Sequence, residues 1–287
     1  MKLGEFELDI VSDGGFRLDG GAMFGVVPKL LWAKHKVPDD KNRIGMGTNC
    51  LLVRTGREVV LIDAGLGDKN DAKFQAIYAY EAGARRLPEA LAALGLGPAD
   101  VTHVVLSHLH FDHCGWSTRF EGDRVVPTFP NARYFMNRAE VEHARSPNER
   151  DRASYDGRNW EPLFEAGQAV LFDREAVIVP GIRTVEVPGH NGSMCIVLIE
   201  SRGAKAVFWA DLVPTVAHLP YPWVMGYDLF PLTTMENKQL WLPRAAQEDW
   251  LCVFEHDAET PVARLRADER GRYFAEPVVE PSAVLEP

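Results

Sequence analysis

The chain has 287 residues, of which 46% are hydrophobic and 25% charged, and its formal net charge is -10. That length and apolar content allow a sizeable core, and the charge fraction is that of an ordinary globular protein. No Lys/Arg run exceeds two residues, so nucleic-acid binding is disfavoured, and no window approaches the eighteen or more apolar residues of a membrane span.

Residues Met1 to Ile10 alternate charged and apolar positions and lack the apolar core of a signal peptide, which predicts a cytoplasmic location. The cysteines Cys50, Cys114, Cys195 and Cys252 are far apart and form no CxxC pair. Buried free thiols are expected from them, and a structural zinc knuckle is not.

Residues 5–20 read as a first strand and turn, broken at Gly14-Gly15. Residues 19–32 hold too many breakers for a helix and read as a loop whose Met23, Phe24 and Trp32 either pack or wall a pocket. Asn49 to Arg54 and Glu58 to Asp63 form a hairpin around Thr55-Gly56-Arg57. Asp63, at a strand end before Ala64-Gly65, is either a turn cap or an orienting group. A helix is expected over 88–94, a strand over 101–106 with His103 structural, a strand over 132–136 and a helix over 138–145. Residues 151–166 read as a helical insertion at the rim of a site. Strands follow at 176–179, 182–187, 194–199 and 206–210, then a helix over 234–248 and a strand over 250–254. The tail after Pro261 is charged and reads as peripheral. Strands and helices alternate twice over, which predicts two similar α/β halves packed as one domain over 1–287.

The chemistry concentrates in Ser107-His108-Leu109-His110-Phe111-Asp112-His113-Cys114-Gly115, immediately after the apolar run Val104-Val105-Leu106. In extended chain His108 and His110 point to one side and can hold one ion. Asp112 and His113 lie past the strand and can address a second, with Gly115 relieving the crowding. Three more strands lead to His190, Asp211 and His256. Imidazole and carboxylate suit zinc, and also manganese, iron or cobalt. A lone histidine would be read as a strand cap; this cluster is costly to hold together unless a metal pairs it.

This pattern resembles the metallo-β-lactamase superfamily, with the Asp63-x-Gly65 turn as a further match. The resemblance implies an αββα sandwich and two divalent transition-metal ions, zinc first among the candidates. One ion would be held by His108, His110 and His190, the other by Asp112, His113 and His256, with Asp211 bridging. It also implies attack of a metal-bridging hydroxide on an ester carbonyl, with Asp112 and Asp211 as catalytic carboxylates. Asp63 would orient a ligand histidine, and Ser193, with Asn191, would shape the loop around His190. Residues 19–32, 210–215 and 222–228 resemble YtnP-like quorum-quenching lactonases, related to N-acyl-homoserine lactonases. That implies a small lactone or ester substrate, held by Met23, Phe24, Trp32, His218, Tyr221, Trp223, Met225 and Tyr227, and allows a homodimer. Homoserine lactonases carry a tyrosine shortly after the bridging aspartate; here Leu212-Val213-Pro214 follows Asp211, and His218, Tyr221 or Tyr227 would have to replace it. The competing readings are an organophosphate or arylester hydrolase on the same site, and a non-catalytic metal-dependent binding module.

Overall fold

The computed structural model describes residues 1–80 and 87–278. In the first half of the chain the strands are Lys2–Leu3 (β1), Phe6–Asp19 (β2), Arg43–Arg54 (β3), Val59–Ile62 (β4), His103–Val105 (β5), the hairpin Thr118–Glu121 (β6) and Arg124–Pro127 (β7), Arg133–Asn137 (β8) and Ala169–Phe172 (β9). In the second they are Glu175–Val179 (β10), Ile182–Glu186 (β11), Cys195–Ser201 (β12), Ala204–Phe208 (β13), Leu251–Val253 (β14), Val262–Ala267 (β15) and Tyr273–Pro277 (β16). They form two seven-stranded sheets, ordered β1-β2-β3-β4-β5-β8-β9 and β10-β11-β12-β13-β14-β15-β16, with β6-β7 apart. Each sheet is mixed: antiparallel pairing gives way to parallel at β4-β5 in the first and at β13-β14 in the second.

The sheets stack face to face, and the two-residue period of each strand sorts its side chains between layers. Leu51, Val53, Val60, Ile62 and Val105 point inward and pack with Ile196, Val197, Val207 and Phe208 of the second sheet. Their neighbours Cys50, Leu52, Leu61 and Val104 face outward. There they meet Leu87 and Leu91 of the helix Leu87–Ala93 and Val141 and Ala144 of the helix Arg138–Arg145. The helix Pro231–Gln247 covers the second sheet through Trp241, Leu242 and Ala245. The result is an αββα sandwich. All four cysteines are free and buried. No helix among the described residues is long and apolar enough to cross a membrane.

Four expectations need correction. Strand β2 runs through Gly14-Gly15 as one strand, whose register with β3 shifts between Ser12 and Gly15. Residues 19–32 are not a plain loop, since they contain the short helices Gly20–Phe24 and Lys29–Trp32. The tail is not peripheral, because Val262, Ala263 and Leu265 are fully buried in the second sheet; residues 279–287 lie outside the described part. The 151–166 segment is mostly 3-10 turns, with helix only over Glu161–Glu165.

Candidate metal centre

Strand β5 ends inside the sandwich, so the chain that leaves it emerges at one edge of both sheets. Leu109 turns into the outer core, which sends His108 and His110 the other way. A single helical turn, Phe111–Cys114, then carries Asp112 and His113. The Asp63–Gly67 turn packs beneath it. A Cβ on Gly115 would lie 2.1 Å from the Leu66 carbonyl carbon, and one on Gly67 2.6 Å from Gly115, so both positions require glycine. Two residues beside the chemistry hold left-handed backbone without being glycine: Asp63 at φ 57° and Ala210, just before Asp211, at φ 46°.

From the second half come His190, Asp211 and His256, all buried. Candidate ligand atoms of His108, His110, His190 and Asp211 lie within 4.8 Å of one another, and so do those of Asp112, His113 and His256. Asp211 stands between the groups. Its Oδ2 is 3.1 Å from His190 Nε2, 3.6 Å from His113 Nε2 and 4.0 Å from His108 Nε2, while its Oδ1 is 3.1 Å from His256 Nε2. Asp112 approaches His113 Nε2 at 3.8 Å and His256 Nε2 at 3.7 Å. Each group draws two residues from the first half of the chain and takes the rest from the second.

The ring nitrogens facing away from this space are engaged. His190 Nδ1 is 2.9 Å from Asp228, and Asp228 accepts from the Thr234 hydroxyl. His256 Nδ1 donates to the Gly47 carbonyl at 2.9 Å. His113 Nδ1 lies 2.9 Å from Asp63 and 2.7 Å from Glu255, and Asp63 also accepts the amide and hydroxyl of Ser107. With their outer N–H groups donating to these acceptors, the neutral forms of His190, His113 and His256 present bare lone pairs inward. His113 Nε2 and His256 Nε2 then face each other at 3.2 Å, and His190 Nε2 faces His110 Nδ1 at 3.0 Å. His108 Nε2 and Asp211 Oδ1 are buried with no hydrogen-bond partner. Lone pairs set this close repel, and unpaired buried acceptors are costly. Donors about 2.0 to 2.1 Å from a shared tetrahedral ion would stand about 3.3 Å apart. The residues therefore fit a metal pair.

The rings differ in their readiness to take a proton. Burial, helped by His113 and its other ring neighbours, holds His108 well below the usual histidine range. Burial opposes charge on His256 too, but Asp211 overrides it and pushes the ring up to about 9. Burial would raise Asp211, and His190, His113 and His256 outweigh it, holding it well below the carboxylate range. A proton and a metal thus compete for His256, so metal uptake releases protons.

A cleft of about 310 Å³ opens onto His110, Asp112, His190, Asp211 and His256. Of the eight residues expected to hold substrate, Met23, Met225 and Tyr227 line it. Phe24, Trp32 and His218 are buried beside it instead: Phe24 stacks on His218 at 4.6 Å and on Trp32 at 5.3 Å. Trp223 meets the edge of Phe24, and Tyr221 packs on Tyr273. The loop carrying both is tied down by buried Lys238, whose Nζ donates to the carbonyls of Pro220, Tyr221 and Trp223. The apolar run through 19–32 thus forms mainly a core beneath the cleft. Ser193 touches no ligand ring; its hydroxyl donates to Glu140 at 2.7 Å. Tyr78, Phe111 and Arg150 line the cleft and were not anticipated. Nor were Asp228, Glu255 and Glu140.

An αββα sandwich with paired histidine and aspartate clusters at one sheet edge defines a class, the metal-dependent hydrolases of this fold. The metallo-beta-lactamase superfamily model matches residues 43–256, and the chain belongs to that superfamily. Among curated proteins it is 28% identical over 176 residues to the N-acyl homoserine lactonase AttM of Agrobacterium fabrum, covering 58% of this chain and 62% of that protein. It is 24% identical over 175 residues to an N-acyl homoserine lactonase of Bacillus cereus, covering 58% and 63%. The chain thus spans about three fifths of the length of these relatives. Among solved structures, a probable metal-dependent hydrolase from Staphylococcus aureus superposes with TM-score 0.87 at 30% identity, covering 97% of this chain and all of that one. The dizinc quorum-quenching lactonase AidC superposes with TM-score 0.80 at 21% identity, covering 97% and 96%, a likeness of fold.

Proposed function

We propose that residues 1–287 form one dinuclear, metal-dependent lactonase domain that opens N-acyl homoserine lactones in the cytoplasm, with zinc as the resident metal. One observation carries the reading: Asp211 directs one oxygen at His190 and the other at His256, as a carboxylate shared by two ions requires. His108, His110 and His190 would hold one ion, and Asp112, His113 and His256 the other. Such a pair, when bound, activates water at neutral pH and polarises the carbonyl. Asp112, 7% exposed at the cleft floor, would orient the attacking water and carry its proton. Met23, Met225 and Leu229 offer an apolar wall to an acyl chain, and Tyr227 offers the hydroxyl that the Leu212-Val213-Pro214 run does not. The lactonase names of the curated relatives support the substrate.

The test is a panel of homoserine lactones of varied acyl length, run on metal-quantified protein beside a paraoxon-like triester. Lactone opening with close to two zinc ions per chain is expected. Faster triester turnover would instead favour the organophosphate reading, which the lack of a tyrosine after Asp211 also fits. Full metal occupancy without turnover of any ester, lactone or triester would leave a binding module. Asp211→Ala should reduce hydrolysis to background while far-UV circular dichroism stays unchanged; retained activity would reject the bridging role.

A further inference from the structure

Glu140 lies in the first turn of the helix Arg138–Arg145 and is 1% exposed. Its carboxylate accepts from four donors on three separate segments. Oε1 takes the Leu109 amide at 3.0 Å and the Tyr155 hydroxyl at 3.3 Å. Oε2 takes the Asn191 side-chain amide at 2.8 Å and the Ser193 hydroxyl at 2.7 Å. Leu109 is the residue between His108 and His110. Asn191 follows His190. Tyr155 pairs with His110 through an isolated β-bridge, and its ring lies 4.8 Å from the imidazole. The same helix turn adds a further tie, since Asn137 Nδ2 donates to the Ser193 carbonyl at 3.1 Å. None of these bonds reaches Asp112, His113 or His256. His113 is held elsewhere, by Asp63 and Glu255, and His256 by the Gly47 carbonyl.

We infer that Glu140 is a positioning residue for one ion of the pair only: it locks the His108-Leu109-His110 segment to the His190 loop and so sets the spacing of that three-histidine group. The inference rests on the two-centre reading of the site. A buried carboxylate with four donors leaves all of them unpaired when removed, and the loops it joins are then free to separate. Groups that orient metal ligands typically contribute about 10- to 100-fold in metal affinity. The loss should fall on one binding step and spare the other.

Zinc is titrated out of the 287-residue protein with a graded chelator, the remaining metal is counted, and the experiment is repeated with cobalt, whose absorption reports each site. Wild type should lose its ions in two steps. In Glu140→Gln one step should move to about 10- to 100-fold weaker binding while the other stays in place. Glu255→Gln, which loosens His113, should move the opposite step. Ser193→Ala removes a single donor and should shift the same step as Glu140→Gln by less, which keeps the inference testable if Glu140→Gln folds poorly. Equal weakening of both steps, or no shift in Glu140→Gln and Ser193→Ala, overturns it. A wild-type chain that binds only one ion overturns both this inference and the two-centre reading. Absence of lactone turnover with a selective shift overturns the proposed substrate and leaves Glu140 in its role.

Discussion

His218 illustrates how a polar side chain near a reactive site can belong to the core. Its Nδ1 meets the Thr215 hydroxyl at 2.8 Å, its Nε2 donates to the Met23 carbonyl at 2.8 Å, and Phe24 covers its face. Burial, with a smaller contribution from Lys238, pushes its pKa down to about 4. The unfolded chain therefore binds the proton first as pH falls. Stability attributable to this ring is intact above about 6.5 and is lost progressively towards 4, by up to about 3 kcal/mol. Urea midpoints followed from pH 7 to 4.5 should fall more steeply in wild type than in His218→Asn; parallel curves would show that the ring titrates normally. At this scale the candidate ligands were legible, because each follows an apolar strand and a His-x-His-x-Asp-His cluster is costly to hold together unless a metal pairs it. Glu140 was not legible. An acidic residue in a first helical turn is ordinary dipole chemistry, and only the tertiary fold reveals that it is buried. Likewise an aromatic such as Phe24 or Trp32 serves equally in a cleft wall or in the core beneath it.

Elements were missed where local chemistry offset a breaker. The helix Gly20–Phe24 forms despite its glycines because Asp19 caps it, accepting from the Ala22 amide at 2.9 Å. Gly20 is there for packing: a Cβ would stand 2.4 Å from the Trp32 ring. The final hairpin was obscured in a different way. Ala263-Arg264-Leu265-Arg266 alternates as a strand does, but its arginines suggest surface chain. Arg264 and Arg266 in fact pair with Asp249, while Val262 and Leu265 fill the core. Burying those two side chains alone contributes about 3 to 6 kcal/mol, a large share of typical domain stability. A chain ending at Thr260 should therefore show no cooperative thermal transition; a sharp transition near the midpoint of the 287-residue chain would return the hairpin to the periphery.

Across the whole molecule, the class of fold was readable from the doubled alternation of strands and helices, whereas the partner of each sheet face was not, since period two places side chains on both faces alike. The assembled sandwich brings ligands from both halves to one edge, so metal that binds only the native arrangement must stabilise it. At free metal a thousandfold above its dissociation constant the gain is about 4 kcal/mol per ion. Removing metal with a chelator should lower the melting midpoint by several degrees, and restoring it should reverse the change; an unchanged midpoint would mean that the site contributes nothing to holding the halves together.

The division of each ligand group between the two halves of the chain has a bearing on biogenesis. While His190, Asp211 and His256 are still being synthesised, the nascent N-terminal half offers His108, His110, Asp112 and His113 without their partners. Tight uptake of metal therefore comes after the sheets have docked. On the two-centre reading, a chain whose halves joined out of register would lack complete ligand groups and would not retain metal.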